Sequence, residues 1–235
     1  MLARSVLAPA GFVLETFARR VSETRLVWTV SGEEGLARLP GVARGRRDVT
    51  LCWSSREAAE ANVASVARNG RVNPIMLVNF AGTVLPKLKE LDRLVAPEWT
   101  LDPSHPQFDA TVVLQAIKGE GMRRVASVAA QNGRIYILES DLGPTFANSA
   151  IRPGTMVLPC WTTADDAESH VKGFWSEMMV SEIPIDAFVG RTLPWVAALG
   201  RAVSLDHGLG GVPMELGALD FASRLMGQPV RPHGA

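Results

Sequence analysis

Thr50-Leu51-Cys52-Trp53-Ser54-Ser55-Arg56-Glu57-Ala58-Ala59-Glu60 returns 108 residues later as Leu158-Pro159-Cys160-Trp161-Thr162-Thr163-Ala164-Asp165-Asp166-Ala167-Glu168. In both, a largely apolar run ends in Cys-Trp, two hydroxyl residues follow, and an Ala-Glu pattern begins. The match extends outward at the same offset. Trp28 meets Tyr136, Ile75 meets Ile183, Phe80 meets Phe188, and Leu85-Pro86 meets Leu193-Pro194; Leu91, Arg93 and Val95 meet Leu199, Arg201 and Val203. From residue 25 to 99 no gap is needed and 17 of 75 positions are identical. Average residue usage would give roughly four or five. The chain is therefore read as one module folded twice.

Each copy predicts the order α-β-β-β-α-β-α-β. A leading helix is expected over 14–23 and 112–130. Strands follow at 26–30 and 134–138, where apolar and polar residues partly alternate. A short strand is expected near 35–39 and 145–148, and a more apolar one over 49–53 and 156–161. Ser54-x-x-Glu57 and Thr162-x-x-Asp165 fit the capping-box pattern and predict a helix start. A strand at 75–78 and 182–185, a helix at 80–91 and 188–199, and a strand through Val95 and Val203 complete the unit. Strands and helices do not alternate strictly, so the class is α+β with a mostly antiparallel or mixed sheet. The expected organisation is a first module at 11–100, a Pro-bearing linker at 101–108, a second module at 109–227 with an extra C-terminal helix, and a tail at 228–235. Duplicated modules often keep an ancestral dimer contact, so a pseudo-twofold relation is expected.

Apolar residues make up 47% of the 235 and charged residues 20%, with a net charge of zero. That excludes a disordered chain, and it gives no general attraction to nucleic acid or anionic lipid. The halves differ in sign. Residues 1–108 hold 14 Lys+Arg against 11 Asp+Glu, a balance of +3; residues 109–235 hold 10 against 13, a balance of −3. Two cysteines make no disulfide framework. No apolar run approaches the ~20 residues that span a bilayer. Pro9 and Gly11 cut short the apolar stretch at the N-terminus, so a cytoplasmic protein is expected.

Few residues carry a chemical signature. His105, His170, His207 and His233 show no metal-ligand spacing, so neither a metal nor a cofactor is expected. Cys52 and Cys160 occupy matched places at the end of an apolar strand. Each is either a small core residue or, with help from the following helix N-terminus, a nucleophile. No His falls at a matched position beside them, and no catalytic residue is assigned. The run Arg44-Gly45-Arg46-Arg47 is a basic loop, either solvated or open to phosphate or an acidic partner. His207-Gly208-Leu209-Gly210-Gly211 lacks the Lys-Ser/Thr of a phosphate loop and reads as a turn. Trp53 and Trp161 read as core. Trp175 and Trp195 stand where the first copy has Ala67 and Lys87, so the shared fold does not require them. With Glu177, Glu182 and Asp186 they form the candidate partner-binding set, since Trp is enriched at binding hot spots.

The segment Leu158–Glu168, with Phe174-Trp175, Ile183–Phe188, Leu193-Pro194 and Val203, resembles the bacterial DUF2750 family, whose function is unknown. The first copy keeps Cys52-Trp53, Ala58-Ala59-Glu60, Phe80 and Leu85-Pro86 but has Val66-Ala67 and Leu51 where the second has Phe174-Trp175 and Pro159. A fainter likeness reaches SseB-type proteins. The resemblance implies two modules and assigns no activity. The expected function is a non-enzymatic protein-binding module, of the immunity or regulatory type, with a protein partner such as a toxin and neither nucleic acid nor membrane as target. The alternative is an enzyme or small-ligand binder using a cleft between the modules.

Overall fold

The structure, a computed structural model, describes residues 9–33, 35–40, 47–102, 104–208 and 214–227. It divides into two compact units, residues 1–120 and 121–235. The first runs α1 (Ala10–Thr24), β1 (Leu26–Gly32), β2 (Gly35–Leu36), β3 (Arg38–Leu39), β4 (Val49–Cys52), α2 (Arg56–Val66), β5 (Arg71–Met76), α3 (Leu77–Asn79), a π-turn (Phe80–Val84), α4 (Leu85–Glu90), β6 (Leu94–Pro97) and β7 (Phe108–Asp109). Helix α5 (Ala110–Asn132) contains the division between the units. Then come β8 (Arg134–Ser140), β9 (Gly143–Pro144), β10 (Ala147–Asn148), β11 (Met156–Trp161), α6 (Ala164–Glu168) and a 3-10 turn (Gly173–Trp175). They are followed by β12 (Met179–Pro184), α7 (Ile185–Ala187), a second π-turn (Phe188–Thr192), α8 (Leu193–Ala198), β13 (Ala202–Leu205), β14 (Met214–Gly217) and α9 (Ala218–Met226).

The two units use one sheet topology. In the second, the order is β12-β8-β11-β13-β14, with β9 on β8 and β10 on β11. All pairs are antiparallel except β11 with β13. In the first, β5-β1 and β4-β6-β7 meet where Trp28 and Trp53 exchange two 2.8 Å backbone hydrogen bonds, and β4 with β6 is again the parallel pair. The α+β class with a mixed, mostly antiparallel sheet therefore stands. In the second unit one face packs Ile135, Ile137, Leu158 and Val203 against Val125 and Ala129 of α5, Val196 of α8 and Phe221 of α9. The other face packs Leu138 and Trp161 under Ala167 of α6. In the first unit Val30 and Trp53 lie under Ala59 of α2 in the same way.

The prolines set the helix geometry. Pro86 and Pro194 sit in the first turn of α4 and α8. A proline inside a helix has no N–H to give and crowds the carbonyl four residues back. Both runs respond by widening one turn, with the Leu85 N–H reaching Phe80 O and the Leu193 N–H reaching Phe188 O. Gly82 and Gly190 stand at those crowded carbonyls.

Several expectations shift. The stretch read as a linker, 101–108, runs into β7, which pairs with β6 through Leu94↔Asp109 and Val95↔Phe108. His105 in that stretch is buried, its Nε2 2.8 Å from the Pro97 carbonyl. The helix read as extra, α9, starts at Ala218, 108 residues after α5 starts at Ala110, so it has a counterpart in the first half of α5. The capping residues lie one place later than read. Ser55 Oγ accepts from the Ala58 N–H and Thr163 Oγ1 from the Asp166 N–H, each at 3.2 Å, while Ser54 and Thr162 are buried at the sheet end. The strands expected at 75–78 and 182–185 begin earlier and give way to helix at Leu77 and Ile185. Arg44, Gly45 and Arg46 of the basic loop, His233 and the 228–235 tail lie outside the described residues.

Trp53 and Trp161 are each 1% exposed. The Trp53 indole N–H donates to the Trp99 carbonyl at 2.8 Å, and that of Trp161 to the His207 carbonyl at 3.0 Å. Trp53→Phe and Trp161→Phe each remove one buried donor and part of a ring. Each is expected to lower unfolding free energy by about 2 kcal/mol in urea titrations. Equal stability for either variant would mean that the indole is not holding its strand end.

Candidate functional site

Among the described residues, the end of the β11–β13 pair gathers three of the second unit's four buried polar side chains, Thr162, Ser204 and Asp206. Asp206 follows β13 in a left-handed conformation, φ 45°, with its N–H on the Cys160 carbonyl at 2.9 Å. Its carboxylate takes an ion pair from Arg124 of α5 and lies 3.5 Å from the Thr162 hydroxyl. The first unit repeats the backbone turn at Glu98, φ 54°, whose N–H donates to the Cys52 carbonyl at 2.8 Å and whose Oε1 accepts from the Ser54 N–H at 3.3 Å. These carboxylates lock a chain turn in both copies.

Both thiols are free and buried. Burial, reinforced by Glu98, pushes the Cys52 thiol well above its ordinary value. Burial, reinforced by Asp206, does the same to Cys160. Each sulfur lies near a strand carbonyl, Ala96 O at 4.0 Å and Ser204 O at 3.6 Å. A protonated, inaccessible thiol is no nucleophile. The burial of both cysteines agrees with their reading as core residues.

Two histidines far apart in sequence come together over Trp161. His170 and His207 have ring centroids 6.5 Å apart, with Trp161 at 5.1 Å and 6.4 Å from them and Trp175 at 6.4 Å and 5.7 Å. His170 Nδ1 is 2.9 Å from the Asp166 carbonyl, and His207 Nδ1 is 2.9 Å from Ser204 Oγ. Gly208, φ 71°, lets the chain pass: a Cβ there would lie 2.5 Å from His170 Nε2. Burial lowers the His207 pKa, the neighbouring His170 lowers it further, and Glu215 opposes both. Among the described residues no group of His, Cys, Asp or Glu is arranged to hold a metal ion.

The candidate partner-binding residues divide between the two faces of the second sheet. Trp175 is half-buried against Trp161, with Tyr136 and Val180 in the same cluster, so it is mainly a packing residue. Its space is taken in the first unit by the longer α2, whose Val63, Val66 and Ala67 pack toward Trp53. The neighbour Phe174, which sequence reasoning passed over, is 90% exposed. Glu182 lies on the Trp175 face, ion-paired to Arg134 at 2.8 Å and 3.4 Å from the Tyr136 hydroxyl. Glu177 is exposed beyond the 3-10 turn, and Asp186 accepts from the Ala187 N–H at 2.8 Å in the first turn of α7.

Trp195 lies on the opposite face, on α8. It is 42% exposed and walls a groove of about 390 Å³ with Pro144, Ile183, Arg191 and Thr192. Its ring is 5.7 Å from that of Phe146, and the Arg201 guanidinium sits 4.0 Å over the far ring. The first unit has a groove of about 320 Å³ at the matching place, where Arg38, Lys87 and Arg93 stand for Phe146, Trp195 and Arg201. One position of the repeat thus carries two chemistries, three cations in one copy and an Arg–Phe–Trp stack in the other. The sequence signal for Phe146 was its alignment with Arg38; the histidine pair left no signal.

Two measurements check these assignments. Both thiols should stay unmodified by Ellman's reagent in the native protein and react only on unfolding. His207 has a folded pKa below the ordinary 6.5. Its contribution is therefore complete above the unfolded value and is lost as pH falls through the folded one. Thermal denaturation should show stability dropping below about pH 6.5, and His207→Asn should flatten that drop. An unchanged slope in the variant would remove His207 as its source.

Among the described residues no helix is long and apolar enough to cross a membrane. No curated protein matches the chain. Two solved structures show a distant likeness. Anabaena Tic22, described as a protein-transport protein, is 18% identical over 88% of this chain and 93% of that one, with a TM-score of 0.25. Tic22 from Plasmodium falciparum is 9% identical over 73% and 83%, with a TM-score of 0.21. Superpositions that loose define no shared site. The family described as protein of unknown function (DUF2750) matches twice, over residues 14–117 and 122–225, so both matches begin and end 108 residues apart. The chain accordingly belongs to the DUF2750 family, as a tandem duplication of its domain.

Proposed function

We propose that this chain is a non-enzymatic protein-binding protein, of the immunity or regulatory type, whose second unit supplies the specific contact. The observation that carries the reading is Trp195. It is a large apolar side chain held half out of the surface by a stack, in a groove that the first copy lines with cations. A side chain already fixed loses little rotamer freedom when a partner covers it, and an indole in a partly walled groove is the usual form of a hot spot. Phe174 offers a second, separate contact on the other face, flanked by Glu177. That acidic neighbour favours a partner segment that pairs apolar with basic side chains.

The test compares the full chain with Trp195→Lys, which installs the first unit's residue. Both are used as baits for crosslinking and mass spectrometry in extract of the source organism, and the captured protein is then titrated in purified form. The wild type should retain one protein, with affinity reduced about thirtyfold in the variant, as for a hot spot of ~2 kcal/mol. Equal binding by the two baits would remove Trp195 from the interface. Turnover of a small molecule with no protein retained would overturn the binding reading itself.

A further inference from the structure

Strands β5 and β12 are matching outer strands of their sheets, each paired with a strand along one side only among the described residues. Backbone direction decides what the other side offers. The Ile185 N–H donates to the Gly133 carbonyl at 2.9 Å, and the Leu77 N–H to the Arg25 carbonyl at 2.8 Å. In an antiparallel pair, residues alternate between facing the partner and facing away. Given the registers Ser181↔Ile137 and Ile183↔Ile135, Met179, Ser181 and Ile183 face β8, while Val180 and Glu182 turn their N–H and C=O outward. In β5 the outward residues are Val72, Pro74 and Met76. Pro74 has no N–H, which blunts that edge in the way outer strands commonly are. At the matching position β12 has Glu182, and its own outward proline, Pro184, comes at the strand end, so Val180 and Glu182 offer two consecutive complete donor–acceptor pairs where Pro74 separates those of Val72 and Met76.

The edge is also self-complementary. If a second β12 runs antiparallel with a twofold axis at Ser181, Val180 faces Glu182 of the other copy and Glu182 faces its Val180. Both residues are of the outward-facing kind, so each pair exchanges two hydrogen bonds, four in all. On the same face no like charges stand directly opposite. On the other face Ser181 meets its own copy and Met179, 62% exposed, meets Ile183. A shift of one residue in register would set outward groups against groups already committed to β8.

We propose that β12 is a self-pairing edge, and that the occupant of its open side is β12 of a second copy of this chain in an isologous dimer. The pairing continues the sheet of one unit into that of its copy. The proposal rests on backbone groups of Val180 and Glu182, neither of which lines the Trp195 groove, and it shares only the Ile183 side chain with that groove.

Two variants test it by sedimentation equilibrium over a wide concentration range. Glu182→Pro removes one outward N–H and reproduces the first unit's own Pro74, so the fold has a precedent for it. Glu182→Ala keeps the N–H and serves as control for the lost Arg134 ion pair. The wild type and Glu182→Ala should sediment at twice the monomer mass, and Glu182→Pro at the monomer mass with unchanged far-ultraviolet circular dichroism. Ser181→Cys supplies an independent reading should the proline variant fail to fold. Its two thiols meet at a non-hydrogen-bonded pair about 4.5 Å apart at Cα, within disulfide reach. It should therefore oxidise to a covalent dimer, against the background of two buried native cysteines. A wild type that stays monomeric, a folded Glu182→Pro that still dimerises, or a dimer whose Ser181→Cys form does not crosslink would each overturn the proposal. The first of these would leave the edge to a strand of another protein.

Discussion

A backbone carbonyl taken by an indole N–H holds each unit together. In the first it is the Trp99 carbonyl bound by Trp53; in the second it is the His207 carbonyl bound by Trp161. The acceptor lies just past the parallel partner strand, so the bond ties the chain that leaves β6 or β13 back to the end of β4 or β11. An indole this deeply buried without an acceptor would forfeit about 1–3 kcal/mol of what its ring gains in packing. The carbonyl is therefore a fixed requirement, and the left-handed residue before it, Glu98 or Asp206, is what turns the chain to present it. The copies keep the groups serving this arrangement, Cys-Trp by identity and the two hydroxyl residues and the acid at the turn by type.

Elsewhere the copies have diverged where the framework tolerates it. The helix after the Trp is 11 residues long in the first unit and 5 in the second. Gly173, at φ 57°, is in a conformation that ends regular helix, and the shortened element leaves space over Trp161 that Trp175 fills. In the first unit the long helix instead comes so close to β1 that residue 70 must be glycine. A Cβ there would meet Ala67 and Val30 at 2.9 Å, while the second unit has Met178 at that place. An aromatic found in only one copy can thus be filler for a lost helical turn. Trp175 is of that kind and Trp195 is not, because α4 and α8 have the same length and place in both units.

The duplication, the α+β class and most elements were legible in the sequence because they rest on local periodicity and on the 108-residue offset. The capping frame slipped by one because Ser54 and Thr162 look like caps, yet both are buried at the sheet end, where the Thr162 hydroxyl meets Asp206. The stretch 101–108 looked like a linker on its prolines, since two residues of strand give no period to detect. The meeting of His170 with His207 depends on α6 and β13 converging, which no spacing in the chain records. The division of Trp175 and Trp195 between sheet faces could have been read from strand parity. Tyr136 and Val180 lie in the Trp175 cluster, while Ile183, of the opposite parity, lines the Trp195 groove.

Helix α5 has a genealogical consequence. Its start matches the start of α9 and its end matches the end of α1, Asn132 against Thr24, so the last helix of one copy and the first of the next have merged within 23 residues. Gly227 stops α9 in a left-handed turn, while its counterpart Gly119 is passed through as ordinary helix. Tandem copying therefore needed no new connecting segment, only the suppression of one helix stop. The same splice could be made again after Met226, where a further copy would need only the loss of the Gly227 stop.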